Sequence, residues 1–119
     1  MPRLFEPLNL GRLCLPNRVL VAPMCQYSAR DGVAGDWHLM HLGALAISGA
    51  GLLILEATAV SAAGRITAVD LCLYEERHEA ALARVLAALR ACSPIPLALQ
   101  FAHAGRKAST RVPWEGGAQ

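Results

Sequence analysis

The chain has 119 residues, of which 55% are hydrophobic and 17% are charged, and this composition excludes an intrinsically disordered protein. Its net charge of +2 is too small, and its basic residues too scattered, for a nucleic-acid-binding protein. The longest uncharged apolar stretch, residues 42–55, is shorter than the roughly 18–20 residues of a membrane span, so no membrane segment is expected.

The four cysteines, at positions 14, 25, 72 and 92, indicate free thiols rather than disulfides or a metal site. No two of them have CxxC spacing, and none lies at zinc-finger distance from a second Cys or a His. The N-terminal stretch MPRLFEPLNLGRL also lacks the continuous apolar core of a signal peptide. We therefore expect a cytoplasmic protein with reduced cysteines and no bound metal.

The first predicted element is a β-hairpin, because two short alternating segments flank Gly11-Arg12 in LFEPLNLGRLCLPNRV. Residues 19–22 then predict a short buried strand, and residues 28–35 are loop by composition. Asp36 is expected to cap a helix over WHLMHLGALAIS, which the glycine-rich residues 49–51 end.

The remaining elements alternate between strand and helix. The continuous apolar run LLILEATAV from Leu52 predicts a strand buried on both faces, as in a parallel sheet. Residues 75–92 have helical spacing, and Pro96 leads into a third buried strand, LALQFAHAG. A hairpin followed by β-α-β-α-β predicts a parallel α/β sheet, and both a doubly wound fold and a (β/α)₈ barrel begin this way.

Polar and small residues collect where the three predicted strands end. Function in parallel α/β folds lies at the carboxyl ends of the strands. The first strand leads to Ala22, Pro23, Met24, Cys25 and Tyr27; the second leads to Glu56, Ala57 and Thr58; the third leads to Gln100, His103, Gly105 and Arg106.

This collection suits a flat heteroaromatic ligand. The small Ala57 lets backbone groups approach a ring face, and the Gln100 carboxamide can donate and accept a hydrogen bond at an imide edge. The Cys25 thiol is polarizable and a weak donor, and so can adjust the potential of a redox ring. The Tyr27 phenol can enter the same cavity from above.

The sequence resembles the N-terminal part of the Old Yellow Enzyme family of flavin-dependent ene-reductases (NADH:flavin oxidoreductase/NADH oxidase family). It is most similar to the thermophilic-like and xenobiotic reductase branch. The resemblance covers essentially the whole chain and is carried by LFEPLNLG, PNRVLVAPMCQYSA, DWHLMHLGALAISGAGLLILEATAVSAAGRIT and LQFAHAGRKAS…PWEG.

The resemblance implies a (β/α)₈ barrel closed at the bottom by a hairpin, with FMN bound at the top. It implies a hydride passed from NADPH (or NADH) through FMN to an activated alkene, such as an α,β-unsaturated carbonyl, in a homo-oligomeric complete protein. The implied FMN contacts are Ala22, Pro23, Met24, Cys25, Ala57 and Gln100. Tyr27 would line the substrate side of the flavin.

The family's proton donor, substrate-anchoring pair and phosphate-binding residues lie beyond the third strand, so no catalytic residue is expected in residues 1–119. A barrel needs roughly 200 residues or more, and the chain therefore resembles a truncated barrel domain. It is expected to be inactive alone. The alternatives are a non-catalytic remnant and a small βαβαβ nucleotide-binding module, although no GxGxxG or GxxxxGK[ST] motif supports the latter.

Other polar residues have structural interpretations. Glu56 is expected to be a buried partner of a basic residue such as Arg18 or Arg106. His38 and His41 lie three apart on a predicted helix, but no carboxylate or third ligand accompanies them, so ordinary helix positions are favoured over a metal site. His103 is expected to shape its loop by hydrogen bonding, and Trp114 to cover the site.

Overall fold

A computed structural model describes residues 3–117 of the chain. It contains the predicted hairpin near the N-terminus. A short 3₁₀ helix, Arg3–Phe5, precedes strands β1 (Leu8–Leu10) and β2 (Leu13–Leu15), which pair antiparallel. Gly11 in the turn has a φ of +58°, a left-handed conformation that glycine adopts without steric cost. The hairpin around Gly11-Arg12 is therefore confirmed.

Three further strands form a parallel sheet in sequential order. Strand β4 (Leu52–Ala59) lies between β3 (Leu20–Val21) and β5 (Leu97–Ala102). Strand β3 is shorter than the predicted strand over residues 19–22, because only Leu20 and Val21 pair with β4 before the chain leaves the sheet.

Two helices connect the parallel strands. Helix α1 spans Asp36–Ala46, and helix α2 spans Glu76–Cys92. The prediction that Asp36 caps α1 is wrong: Gly35, with an extended backbone, is the N-cap, and Asp36 is the first helical residue. Its carboxylate still lies in the first turn, where the helix dipole favours negative charge. Glu75 is likewise the N-cap of α2 rather than its first residue.

Both helices pack on the same face of the sheet. Leu53 and Leu55 of β4 are almost fully buried in one core cluster with side chains from both helices: Leu42 and Ala46 of α1, and Leu82, Val85 and Leu89 of α2. A doubly wound fold places helices on both faces and reverses its strand order. Sequential strands with helices on one face are instead the arrangement of a barrel wall.

The long connection between β4 and α2 is held by a buried carboxylate. Asp70 accepts hydrogen bonds from the backbone amides of Ile66 and Thr67 and from the Thr67 hydroxyl. A one-turn 3₁₀ helix, Ala62–Gly64, opens this connection. Within residues 3–117, no helix has the length and apolar character required to cross a bilayer.

Candidate functional site

The carboxyl ends of the parallel strands bring four predicted site residues together. Ala57 of β4 and Gln100 of β5 are partners in the sheet register. The Cys25 thiol, in the segment that follows β3, lies close enough to the Ala57 backbone and the Tyr27 side chain for both to lower its pKa. The four residues therefore lie at the same end of the sheet, and their assignment as ligand contacts stays a prediction.

A β-bulge determines which side chains face this patch. Leu55 pairs with Leu99, but the next pair is Ala57 with Gln100, so Glu56 is an extra residue in β4. Strict alternation after Leu55 would turn Glu56 to the open face and Ala57 towards the helices. The bulge reverses this: Glu56 is buried against α1, and Ala57 lies beside Gln100 on the open face.

The environment of Cys25 keeps its thiol neutral. Burial raises the pKa of the thiol most, and the nearby carboxylates of Glu56 and Asp70 raise it further. The hydrogen bonds from Ala57 and Tyr27 act in the opposite direction without reversing the shift. The half-buried sulfur is therefore a polarizable, uncharged group rather than an activated nucleophile.

Tyr27 is held in an unusual conformation beside an aromatic neighbour. Its φ of +50° is left-handed, which is uncommon for a residue with a side chain and typical of functional sites. Its ring meets the Trp114 ring edge-to-face, with centroids 5.9 Å apart. Burial and the adjacent Cys25 raise the pKa of the phenol, so it stays protonated and able to donate. A cavity of about 330 Å³ lies between these rings and Thr110.

The turn that carries Cys25 is tied to the bulge. The Gln26 backbone amide donates to Glu56 Oε2 at 3.0 Å, and Glu56 Oε1 lies 3.4 Å from Nε2 of the buried His38. The His38 Nδ1 accepts a hydrogen bond from the Gly35 amide at 3.0 Å. The indole of Trp37 donates to the Gln26 side chain at 3.1 Å. Helix α1 thus contacts the turn directly through Trp37, and indirectly through His38, which faces Glu56.

Ala22, Pro23 and Met24 form the segment between β3 and Cys25, at the same end of the sheet. Ala22 and Met24 are exposed, and Pro23 is half-buried. The Met24 carbonyl accepts a hydrogen bond from the Gln26 side chain at 2.9 Å. The assignment of these three residues as ligand contacts stays a prediction.

Two structural interpretations are corrected and one is confirmed. Glu56 is a buried partner of a basic side chain, but that side chain is His38, whereas Arg18 lies 3.9 Å from Glu6. A carboxylate does therefore accompany His38, although no group of three potential metal ligands occurs within residues 3–117. His103 shapes its loop by accepting a hydrogen bond from the Gly105 amide at 3.1 Å.

The sequence analysis missed the contact of His38 with Glu56 and that of Tyr27 with Trp114. One signal was available: Glu56 is the only charged residue in a strand of mostly apolar residues, and a buried carboxylate requires a polar partner. The partner could not be identified, because residues 18 apart meet only when α1 packs on β4. Trp114 is 87 positions from Tyr27 and has no periodic pattern to place it.

Comparisons with known proteins agree with this fold. The sequence model of the NADH:flavin oxidoreductase / NADH oxidase family matches residues 3–116. An NADH:flavin oxidoreductase of Gibberella zeae is 45% identical over 112 residues, which are 94% of this chain and 27% of the relative. An NADPH dehydrogenase of Listeria monocytogenes is 43% identical over 110 residues, which are 91% of this chain and 32% of the relative.

Solved structures show the same similarity. Morphinone reductase matches with a TM-score of 0.82 and 37% identity over 90% of this chain and 28% of that structure. The old yellow enzyme from Trypanosoma cruzi matches with a TM-score of 0.81 and 29% identity over 90% of this chain and 28% of that one. The fold is thus that of part of a (β/α)₈ barrel, and the chain spans about a third or less of its relatives' length. The chain belongs to the NADH:flavin oxidoreductase / NADH oxidase family.

Proposed function

We propose that this chain forms the first part of the FMN site of an NAD(P)H-dependent ene-reductase. In the complete protein, a hydride from NADPH or NADH would pass through FMN to the β-carbon of an activated alkene, such as an α,β-unsaturated carbonyl. The observation that carries the proposal is the convergence of Cys25, Tyr27, Ala57 and Gln100 at one end of the barrel wall. A cytoplasmic location and a homo-oligomeric complete protein are part of the same proposal.

The residues present fit an isoalloxazine ring. The exposed Gln100 carboxamide carries a donor and an acceptor, the pair that the imide edge of the ring requires. Ala57, its register partner, has a side chain small enough for the ring to approach the β4 backbone. FMN, when bound, would supply the hydride chemistry that no amino-acid side chain provides.

The remaining two residues would act around the ring. The neutral Cys25 thiol would contact its edge as a weak, polarizable donor, which adjusts the electronic environment without adding charge. The protonated Tyr27 hydroxyl would face the substrate side, where it can donate to a carbonyl oxygen. The edge-to-face contact with Trp114 would hold the phenol in place.

Two alternatives predict different behaviour. A self-contained nucleotide-binding module of the doubly wound type is disfavoured by the two helices on one sheet face. A non-catalytic remnant would keep the fold but would not support flavin binding when the rest of a barrel is supplied.

A chimera tests the proposal. The segment of this chain that aligns with the Listeria NADPH dehydrogenase over 110 residues would replace its counterpart in that enzyme. We expect the purified chimera to retain FMN, and its flavin absorption to bleach when NADPH is added without oxygen. A folded chimera that holds no FMN would instead support the remnant alternative.

Matched variants of the chimera test the site itself. Gln100→Ala removes one or two hydrogen bonds to the ring and is expected to weaken FMN binding about 2- to 150-fold, since each bond contributes about 0.5–1.5 kcal/mol. Arg90→Ala, at an exposed position in the last turn of α2, is the control and should leave the affinity unchanged. Equal FMN affinity in the two variants would contradict the role of Gln100.

A further inference from the structure

The bulge residue Glu56 has no role in the proposed flavin contacts, yet it is only 6% exposed in a strand of apolar residues. Burying a carboxylate has a large desolvation cost unless polar groups compensate. Its two oxygens have different neighbours: Oε2 accepts from the Gln26 amide at 3.0 Å, and Oε1 faces His38 Nε2 at 3.4 Å. The carboxylate therefore joins the turn after β3 to helix α1.

His38 is oriented to face this carboxylate. Its ring is 1% exposed, and its Nδ1 accepts a hydrogen bond from the Gly35 amide. Because Nδ1 accepts, a ring proton lies on Nε2, the atom directed at Glu56. The separation of 3.4 Å is long for a hydrogen bond, so the Gln26 amide is the stronger of the two partners of Glu56.

The Gln26 amide is the one backbone donor that lies between Cys25 and Tyr27. The thiol and the phenol are side chains of the two residues that flank it, and each lies close enough to shift the pKa of the other. Tyr27 is also left-handed, a conformation that costs energy and persists only when its surroundings impose it. A fixed acceptor for the Gln26 amide supplies such a restraint.

We propose that Glu56, oriented by His38, is a positioning residue that holds the Cys25–Tyr27 turn against the bulge. The bulge makes this possible, since it turns the carboxylate away from the open face while Ala57 remains on it. The inference rests on the proposed function only in taking flavin as the ligand that the turn contacts. The restraint itself is a property of the chain without ligand.

Cysteine alkylation in the 119-residue chain, without flavin, measures this restraint. The four thiols report separately when modified peptides are quantified by mass spectrometry. Cys25 reports opening of the turn, the fully buried Cys72 reports loss of the fold, and the exposed Cys14 and Cys92 report reagent access. The ratio of the Cys25 rate to the Cys72 rate separates local opening from unfolding.

Glu56→Leu fills the same space but removes both acceptors. An unsatisfied buried amide is expected to open the turn and raise Cys25 alkylation about 5- to 150-fold, with Cys72 unchanged. Glu56→Gln keeps one acceptor for the Gln26 amide and should bring the Cys25 rate back close to that of the unmodified chain. His38→Ala leaves the contact between the Gln26 amide and Glu56 in place. It should therefore raise the Cys25 alkylation rate less than Glu56→Leu does.

Three results would overturn the proposal. The Cys25 rate would be unchanged in Glu56→Leu, or it would rise by the same factor as the Cys72 rate, which indicates a general loss of fold. Alternatively, Glu56→Gln would be as reactive as Glu56→Leu, which denies a role to the acceptor. A chimera that binds no flavin would refute the proposed function but would leave the effect of Glu56→Leu on Cys25 alkylation unaffected. A chimera that binds flavin, together with a Cys25 rate that does not depend on Glu56, would refute only the positioning role.

Discussion

Gly32→Ala is expected to destabilise the chain more than any glycine substitution in an open turn. Gly32 has a φ of +78°, and a Cβ placed there would lie 2.6 Å from the Cys72 Cβ and 2.8 Å from the His78 Nε2. The Cys72 amide also donates to the Gly32 carbonyl at 3.0 Å. This close approach joins the loop after β3 to the connection after β4, the two segments that flank the site.

The magnitude follows from two separate costs. A left-handed conformation costs a non-glycine residue about 1–2 kcal/mol, and forcing an additional carbon into a packed position costs about 1–3 kcal/mol. Neither obstructing group can move freely, since Cys72 is fully buried and His78 Nε2 lies 3.0 Å from the Asp31 carbonyl oxygen. The free energy of unfolding should therefore fall by about 2–5 kcal/mol.

Gly11→Ala is the matched control for urea denaturation. Gly11 has a similar φ of +58°, but a Cβ there would meet nothing within 4 Å, so only the conformational cost of about 1–2 kcal/mol applies. The difference between the variants isolates the steric term. Equal losses of unfolding free energy would show that the loops do not approach each other as closely as the structure indicates.

Two further predictions concern the thiols. In the chimera, Cys25→Ser replaces a weak hydrogen-bond donor with a stronger one and should raise the flavin reduction potential by about 10–30 mV. This shift is the equivalent of one hydrogen bond of about 0.5–1.5 kcal/mol in a two-electron couple. An unchanged potential would contradict the placement of Cys25 at the ring edge. Burial raises the pKa of both Cys25 and Cys72, so the folded chain holds these protons more tightly than the unfolded chain does. Their contribution to stability is therefore complete below the ordinary thiol pKa and is lost as the pH rises through the folded-state values. Urea midpoints measured from neutral to alkaline pH should fall in the unmodified chain and fall less in Cys25→Ser, and equal slopes would contradict the burial of this thiol.

The elements that sequence analysis predicted are those whose signal is local. The turn at Gly11 and the 3.6-residue period of α2 depend on neighbouring residues, and both were located to within a residue. The N-cap of α1 lies at Gly35 rather than at the predicted Asp36, because two adjacent residues can each serve at a helix start and backbone geometry selected Gly35. The choice between a doubly wound sheet and a barrel wall required knowledge of which face each helix covers, and that is a tertiary property.

The site shows the same division between local and long-range information. That Cys25, Ala57 and Gln100 lie at the same end of the sheet follows from the rule that parallel strands end at a common edge, which needs only strand order. Their orientation does not follow, because regular alternation from the buried Leu55 would direct Ala57 at the helices. One unpaired residue, Glu56, reverses the alternation, and its burial is compensated by groups 18 and 30 positions away along the chain. The charged residue inside this parallel strand thus marks the place where the register changes, and the small residue after it is the one presented to the open face.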